Sequence, residues 1–234
     1  AHALTATGAT RAIVGEECLA NFASTDRLAG VEQWLWPDPE RPADAAARAA
    51  CTHDLAALAD AAARSDPPAE WRAGMVAEKP AVYIFTSGTT GLPKAAIISH
   101  ARWLITGDVM QLSMGIRPED CFYCFLPLYH GAASLSAGAT AIASGASLLL
   151  RRKFSRREFW PDVRTHGVTV CQYVGEICRF LLAEPPSPDD RRHGLRKMVG
   201  AGLSAEVWEK FVARFGELVF FDGSAATEIY TNTI

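Results

Sequence analysis

The residues best suited to chemistry in this sequence lie in one short segment that is rich in hydroxyl groups and glycine. Four hydroxyl side chains and two glycines fill six consecutive positions, and a lysine follows: Thr86, Ser87, Gly88, Thr89, Thr90, Gly91 and Lys94. Glycines let backbone N–H groups approach a ligand, and consecutive N–H groups in a turn form a concavity that binds anions. A lysine ammonium adds a positive charge that suits phosphate. The composition therefore predicts a phosphate-binding loop.

Two other interpretations of this loop make different demands on the sequence. A solvated polar loop needs only this composition, because Gly, Ser and Thr are common in loops. A Walker A loop needs four residues between its glycines and a Ser or Thr directly after the lysine. Here two residues separate Gly88 from Gly91, and Ala95 follows Lys94. The Walker A pattern is therefore excluded, and the plain polar loop stays open.

Alternating strands and helices surround the loop. The apolar run Ala81–Phe85 predicts a buried strand immediately before it. Further strands are predicted at 95–99, 121–126, 168–174, 195–199 and 218–221, and helices at 103–114, 175–182 and 204–215. Ser155 and Glu158 form a capping box for another helix, which Pro161 should kink or shorten. This alternation predicts an α/β fold with mostly parallel sheets flanked by helices.

Polar clusters follow the predicted strands. They are the loop 86–94, Tyr129-His130, Gly175-Glu176, 200–202 and Thr227-Glu228. Because ligands bind at the carboxyl ends of parallel strands, we expect these clusters to converge on one site. Taken alone, His130 is more often a structural histidine than a catalyst. Glu176 is either a buried, paired carboxylate or an acidic residue favoured by a helix N-terminus.

The first third of the chain differs in composition from the rest. Residues 1–80 are predicted to be an incomplete N-terminal portion with an Ala- and Pro-rich surface excursion at 32–71. In that excursion prolines break regular structure and Thr52 caps a short helix. Residues 81–234 are predicted to form an α/β core.

Composition limits the classes of partner and compartment. The 234 residues carry a net charge of −3 and are 49% hydrophobic, so nothing attracts the chain to nucleic acid. Six scattered cysteines predict reduced thiols in a cytoplasmic protein. The pair Cys121 and Cys124 lacks the second pair that a zinc site needs.

One uncharged stretch, 131–150, is either a transmembrane helix or part of the α/β fold. It is long enough to span a bilayer, but it carries three glycines and four serines. A helix of small residues, a turn near Ser144-Gly145 and a strand 146–150 explain it better. Peripheral contact with the inner face of a membrane is left open, as is the oligomeric state.

Several segments resemble one superfamily. Tyr83–Lys94, Tyr-Ile-Phe-Thr-Ser-Gly-Thr-Thr-Gly-Leu-Pro-Lys, resembles the phosphate-binding signature of the AMP-forming adenylating enzymes: acyl-CoA synthetases, luciferases and peptide-synthetase adenylation domains. Leu126–His130 resembles the acyl-site segment of acyl-CoA synthetases. Segments 172–182 and 200–215 are similar to the very-long-chain acyl-CoA synthetase and fatty-acid transport protein branch. The resemblance is specific from about Tyr83 to Glu228. It implies part of the large N-terminal domain of such an enzyme, with residues 81–234 as a nucleotide- and acyl-binding α/β core.

The resemblance implies a reaction and a role for each cluster. A long- or very-long-chain fatty acid, or a steroid side-chain acid, attacks the α-phosphate of ATP, and CoA then takes the acyl group from acyl-AMP. Tyr83 and the segment Thr86–Lys94 bind the β- and γ-phosphates, and the backbone of Gly200, Ala201 and Gly202 lines the adenine. The implied catalytic residues are Lys94, His130, Thr227 at the α-phosphate and Glu228 on Mg²⁺. Acyl-side contacts are implied for Tyr129, His130, Gly175 and Glu176.

Two features depart from the family pattern. Ser224 stands where the family usually has an aromatic residue that stacks on adenine, and Phe220 or Phe221 would have to substitute for it. The family's ribose-binding Asp, hinge and small C-terminal domain with the catalytic Lys lie beyond Ile234. We therefore expect the middle of a larger enzyme, inactive alone.

Two other functions stay open at this point. One is an acyl-AMP ligase that loads a carrier protein. The other is a nucleotide- or lipid-binding module without turnover, which Ser224 favours.

Overall fold

The computed structural model describes residues 2–23, 30–62, 64–86 and 91–223. The chain divides into two compact units: residues 1–75 with 87–95, and residues 76–86 with 96–234. Each unit is described separately below.

The first unit contains a small parallel sheet with short helices. Its strands pair in the order β1-β2-β3, with bounds β1 Arg11–Gly15, β2 Glu32–Trp36 and β3 His53–Asp54. Its helices are α1 His2–Thr7, α2 Leu19–Ala23, α3 Ala45–Ala49 and α4 Leu55–Ala61. Alternate residues of β1, Ala12 and Val14, are buried against Leu19 and Leu35. β2 and β3 thus show that part of the predicted surface excursion belongs to a sheet.

A buried carboxylate organises the proline-containing segment of this unit. Glu16 is 2% exposed and accepts hydrogen bonds from the backbone N–H groups of Asp38 and Ala43, each at 2.8 Å. Arg48 Nε lies 2.8 Å from the same carboxylate. The Asp38 N–H, followed by these other partners, lowers the pKa of Glu16. One glutamate therefore orders backbone that proline leaves without a regular hydrogen-bond ladder.

The predicted cap at Thr52 is wrong. Asp54 precedes α4 and accepts from the N–H of Ala57 at 3.0 Å, whereas the Thr52 hydroxyl donates to the Gln33 carbonyl at 3.0 Å. Thr52 is used to join the connection before β3 to β2, so the next capping-competent residue along the chain begins the helix.

The second unit is built around a five-stranded parallel sheet of order β10-β9-β8-β6-β7. The strands are β6 Cys121–Cys124, β7 Ser147–Leu150, β8 Val170–Val174, β9 Lys197–Ala201 and β10 Val219–Asp222. The helices are α5 His100–Met114, a π-helix Ala132–Gly138 that continues as α6 Ala139–Ser144, α7 Arg156–Thr165, α8 Gly175–Leu182 and α9 Ala205–Phe215. The predicted α/β class with parallel sheets is confirmed.

Side chains from successive residues of β6 enter two different cores. Phe122 and Cys124 belong to a cluster with Met110 and Met114 of α5, whereas Tyr123 packs with Phe159 of α7 in the other cluster. This alternation follows from the twofold period of a strand. Both faces of the sheet are therefore covered, as parallel sheets require.

A buried ionic group ties α7 to the sheet. The Asp162 carboxylate accepts from the Tyr123 hydroxyl at 2.7 Å and from Arg151 Nε at 2.8 Å. Hydrogen bonding to Arg151 lowers the pKa of Asp162, and burial with the Asp162 contact raises the pKa of Tyr123. α7 extends through Pro161 to Thr165, so of the two expected effects of this proline the shortening does not occur, and the kink stays a prediction. Burial of Phe159 and Val163 outweighs the one helical hydrogen bond that proline lacks.

The strand before the predicted phosphate-binding loop is present, but the prediction that this strand is buried is wrong. β4 Pro80–Thr86 pairs with β5 Lys94–Ser99 in a two-stranded sheet. Within β4 only Ile84 is fully buried, against Ile98 and Leu135, whereas Val82 and Tyr83 are exposed. Among the described residues, Ile98 and Leu135 cover this one position of the strand.

The stretch 131–150 forms the predicted helix, turn and strand. The π-helix and α6 end at Ser144, Gly145 adopts φ 72°, and β7 begins at Ser147. Within the described residues, no helix combines the length and apolar character that a bilayer crossing demands.

Candidate active site

The predicted acyl-side segment, Leu126–His130, forms the turn after β6. The N–H of His130 donates to the Pro127 carbonyl at 2.9 Å, which closes the turn. His130 is exposed, and its Nδ1 accepts from the N–H of Ala132 at 3.2 Å. A neutral imidazole in this arrangement carries its proton on Nε2. Tyr129 is 77% exposed, so both side chains present polar atoms at the carboxyl edge of the sheet.

The ends of β8 and β9 approach each other too closely for side chains. An ideal Cβ on Gly175 would lie 2.0 Å from the Gly202 carbonyl oxygen, and one on Gly200 would lie 2.1 Å from the Tyr173 carbonyl oxygen. These distances are far below van der Waals contact, so both positions require glycine. The structure therefore brings together two predicted clusters, Gly175-Glu176 and 200–202.

An aspartate at the end of β10 holds this junction. The Asp222 carboxylate accepts from the N–H groups of Gly202 at 3.1 Å and Leu203 at 2.7 Å, and from the Tyr173 hydroxyl at 2.9 Å. The Gly223 N–H also donates to the Gly200 carbonyl at 3.0 Å. Burial and the Asp222 contact raise the pKa of Tyr173, so its hydroxyl stays a donor. The loop after β9 is thus fixed by the residue at the end of β10.

Sequence reasoning missed both Asp222 and Tyr173. Asp222 stood directly after an apolar run, at the carboxyl end of a predicted strand, and that position was the available signal. Tyr173 gave no signal of its own because an aromatic residue in a strand is ordinary.

Glu176 lies in the first turn of α8 and is exposed. Its side chain is 68% exposed and is 3.5 Å from Arg179. This environment matches an acidic residue at a helix N-terminus, and it differs from a buried carboxylate beside an acyl chain.

The structure describes both ends of the predicted phosphate-binding loop. Thr86 ends β4, Lys94 begins β5 and is exposed, and Tyr83 is 44% exposed. Gly91 has φ 102°, in the left-handed region that favours glycine. The remaining loop residues, Ser87, Gly88, Thr89 and Thr90, lie outside the described residues.

Three other predicted residues, Ser224, Thr227 and Glu228, also lie outside the described residues. The two candidate substitutes for an adenine-stacking ring are described. Phe220 packs edge-on against Tyr173 and Phe211, with ring centroids 5.6 and 5.8 Å apart, and Phe221 packs against the other core cluster. A stacking role for either phenylalanine stays a prediction. In the described part of the chain, no group of three or more His, Cys, Asp or Glu side chains is arranged to hold a metal ion.

Known proteins match this chain along its length. The family described as AMP-binding enzyme matches residues 1–234. The long-chain fatty acid transport protein 2 of Rattus norvegicus is 45% identical over 165 residues, which cover 70% of this chain and 26% of that protein. The medium/long-chain-fatty-acid–CoA ligase FadD6 of Mycobacterium tuberculosis is 43% identical over 153 residues, covering 65% of this chain and 26% of that protein. The chain thus spans about a quarter of the length of these relatives.

A solved structure shares the fold. The benzoate CoA ligase of Burkholderia xenovorans superposes with a TM-score of 0.78 at 22% identity, covering 98% of this chain and 43% of that one. The resemblance carried by Tyr83–Lys94 is confirmed by the family match, which extends over all 234 residues. The chain therefore belongs to the AMP-binding enzyme family, the AMP-forming adenylating enzymes.

Proposed function

We propose that the protein activates a long- or very-long-chain fatty acid, or a steroid side-chain acid, as acyl-AMP with ATP and passes the acyl group to CoA. The observation that carries this proposal is the junction of Gly175, Gly202 and Asp222 at the carboxyl edge of the parallel sheet. That edge is where α/β sheets bind ligands, and both the adenine-side and acyl-side turns follow strands of this one sheet.

The chemistry needs charge neutralisation and alignment more than a nucleophilic side chain. A fatty acid carboxylate has no good leaving group, and transfer of AMP supplies one. Carboxylate oxygen attacks the α-phosphate, the bond to the bridging oxygen breaks, and pyrophosphate leaves with the electron pair. Lys94 and the loop Thr86–Gly91 stabilise the negative charge on the phosphates, which is the role of preorganised donors in such transfers.

We assign the other site residues to contacts either with the nucleotide or with the fatty acid. In this proposal the backbone of 200–202 lines the adenine, and Ser224 takes the sequence position at which the family usually has an aromatic ring. Thr227 contacts the α-phosphate, and Glu228 offers the carboxylate oxygen that a hard cation such as Mg²⁺ prefers. Tyr129, His130, Gly175 and Glu176 lie on the acyl side, where the exposed Nε2 of His130 is the available donor.

The relatives support the acid class. Their names describe a long-chain fatty acid transport protein and a medium/long-chain-fatty-acid–CoA ligase. A cytoplasmic protein with peripheral contact at the inner face of a membrane fits such a substrate, because long acyl chains partition into bilayers.

A panel of acids assayed with the full-length enzyme tests this function. ATP, Mg²⁺ and either CoA or a carrier protein are supplied, and acyl-AMP and thioester are measured for each acyl length. We expect CoA thioester with long-chain acids and little with short ones. Thioester formed on the carrier protein alone would favour the ligase alternative. Normal ATP affinity with no acyl-AMP from any acid would overturn the proposal and favour a binding module.

A further inference from the structure

A buried amide lies beneath the His130 turn. Gln172, in the middle of β8, is 2% exposed, which is unusual for a polar side chain. Its Nε2 donates to the Ala132 carbonyl, and its Oε1 accepts from the Cys124 thiol at 3.2 Å. Both ends of the amide are therefore satisfied, by β6 on one side and by the first residue of the π-helix on the other.

The chemistry of the partners fixes the orientation of this amide. The Ala132 carbonyl can only accept, so the NH₂ group of Gln172 must face it. Burial raises the pKa of the Cys124 thiol, so the S–H is retained and faces the amide oxygen as a donor. The Leu126 carbonyl is the other acceptor near this thiol, at the longer distance of 3.6 Å. A flipped amide would oppose two oxygens at Ala132.

Ala132 connects the amide to the histidine. While its carbonyl accepts from Gln172, its N–H donates to His130 Nδ1 at 3.2 Å. The His130 carbonyl in turn accepts from the N–H groups of Ala133 and Ser134, each at 3.0 Å. The π-helix thus holds the main chain of His130. The ring of His130 is held by the N–H of Ala132, and the Gln172 amide in turn holds Ala132.

We propose that Gln172 is a positioning residue for His130. Acting through Ala132, it sets the orientation of the imidazole and keeps the ring proton on Nε2, so that this N–H is presented to the acyl carboxylate. The catalytic part of this proposal rests on the proposed function, whereas the effect on the ring itself does not.

Gln172→Met tests the link because methionine has similar length and no amide. Cys171→Ala is the matched control: its side chain is also buried in β8, but it lies in the opposite core cluster. Full-length protein labelled with ¹⁵N at histidine and alanine is used, and His130 is identified by the signal lost in His130→Asn.

The wild type is expected to show His130 in the Nε2-protonated form at about pH 8.5, where imidazole is ordinarily neutral. In Gln172→Met the Nδ1-protonated form becomes detectable, and exchange of the Ala132 amide proton accelerates about fivefold to tenfold, as expected for one lost hydrogen bond. Cys171→Ala changes neither signal. A proton on Nδ1 in the wild type, or unchanged signals in a folded Gln172→Met, would overturn the proposal.

A double-mutant cycle then measures the catalytic part. Gln172→Met is expected to slow acyl-AMP formation about tenfold, because a misoriented imidazole lowers the rate. In a His130→Ala background the same substitution should cause no further loss of rate. Additive losses would mean that Gln172 acts elsewhere. If no variant, including the wild type, forms acyl-AMP, the proposed function fails while the ring measurements still decide the role of Gln172.

Discussion

The carbonyl oxygen of Gly202 lies 2.0 Å from where a Cβ on Gly175 would stand. The first residue of α8 therefore lies against the loop that follows β9. This close approach brings Gly175, on the predicted acyl side, next to Gly202, on the predicted adenine side.

Gly175→Ala is expected to destabilise the protein by about 2 kcal/mol, because the new methyl group must displace backbone in a packed region. Chemical denaturation monitored by fluorescence measures the effect. Gly194→Ala is the matched control: its Cβ would meet the Val168 carbonyl at an ordinary 3.7 Å. Equal stability of the two variants would contradict the close approach.

Tyr173→Phe removes the hydroxyl that donates to Asp222 and is expected to cost about 1 kcal/mol. Asp222→Ala removes the acceptor for that hydroxyl and for two backbone N–H groups, and it should cost about 2–3 kcal/mol. Urea unfolding compares the two variants. Tyr129→Phe, at a position that is 77% exposed, is the control and should leave stability unchanged. A larger loss from Tyr173→Phe than from Asp222→Ala would show that the carboxylate does not organise the loop.

Ionisation of Asp162 is expected to make the stability of the folded protein depend on pH in the acidic range. Its pKa in the folded protein lies below the ordinary aspartate value, mainly because Arg151 donates to it. The stabilisation is therefore complete above the ordinary pKa of about 4 and is lost as the pH falls through the lower, folded value. Asp162→Asn should cost about 2 kcal/mol near neutral pH, at the low end for such pairs because Arg151 is partly exposed.

The difference in unfolding free energy between wild type and Asp162→Asn should become smaller as the pH falls below about 4. Thermal unfolding across this pH range measures this difference. Glu119→Gln, at an exposed position, is the control and should change neither the stability nor its dependence on pH. A constant difference at all pH values would rule out ionisation as its source.

Thiol reactivity should follow burial. Burial raises the pKa of Cys178 to about 12 and also raises the pKa of Cys171 and Cys124, so all three remain protonated and shielded in the native state. Cys18 is exposed. Brief alkylation at about pH 8 followed by peptide mass spectrometry should modify Cys18 at least tenfold faster than these three. Rapid native-state modification of Cys171 would contradict the described core.

Local patterns predicted the second unit well where sequence and packing agree. The bounds of α8 and the cap of α9 at Ser204 were readable because apolar spacing and a capping residue coincide. β9 begins and ends two residues later than predicted, since Gly200 and Ala201 continue its ladder with Tyr173 and Val174. Glycines suggested a turn, but the strand is held by long-range pairing that no local pattern encodes.

The sequence predicted the polar clusters of the candidate site, but it did not predict the buried or distant residues that hold those clusters in place. Gly175 and Gly200 stood out because each directly follows a predicted strand, whereas Asp222 bonds to Tyr173 across 49 positions of sequence. Gln172 depends on contacts from β6 and the π-helix, which lie 40 or more residues away. Such pairs form only when the sheet order is known.

Acyl-AMP formation by Lys94→Ala in the full-length enzyme tests the central claim most directly. Lys94 is exposed at the start of β5, so its truncation should leave the fold and thermal midpoint intact, as should the control Lys153→Ala at another exposed lysine. We expect adenylation of a long-chain acid to fall about 100-fold in Lys94→Ala, because a charge that stabilises the phosphates is lost, and to stay unchanged in Lys153→Ala. Wild-type rates of acyl-AMP formation in Lys94→Ala would contradict the assignment of this loop to the phosphates of ATP.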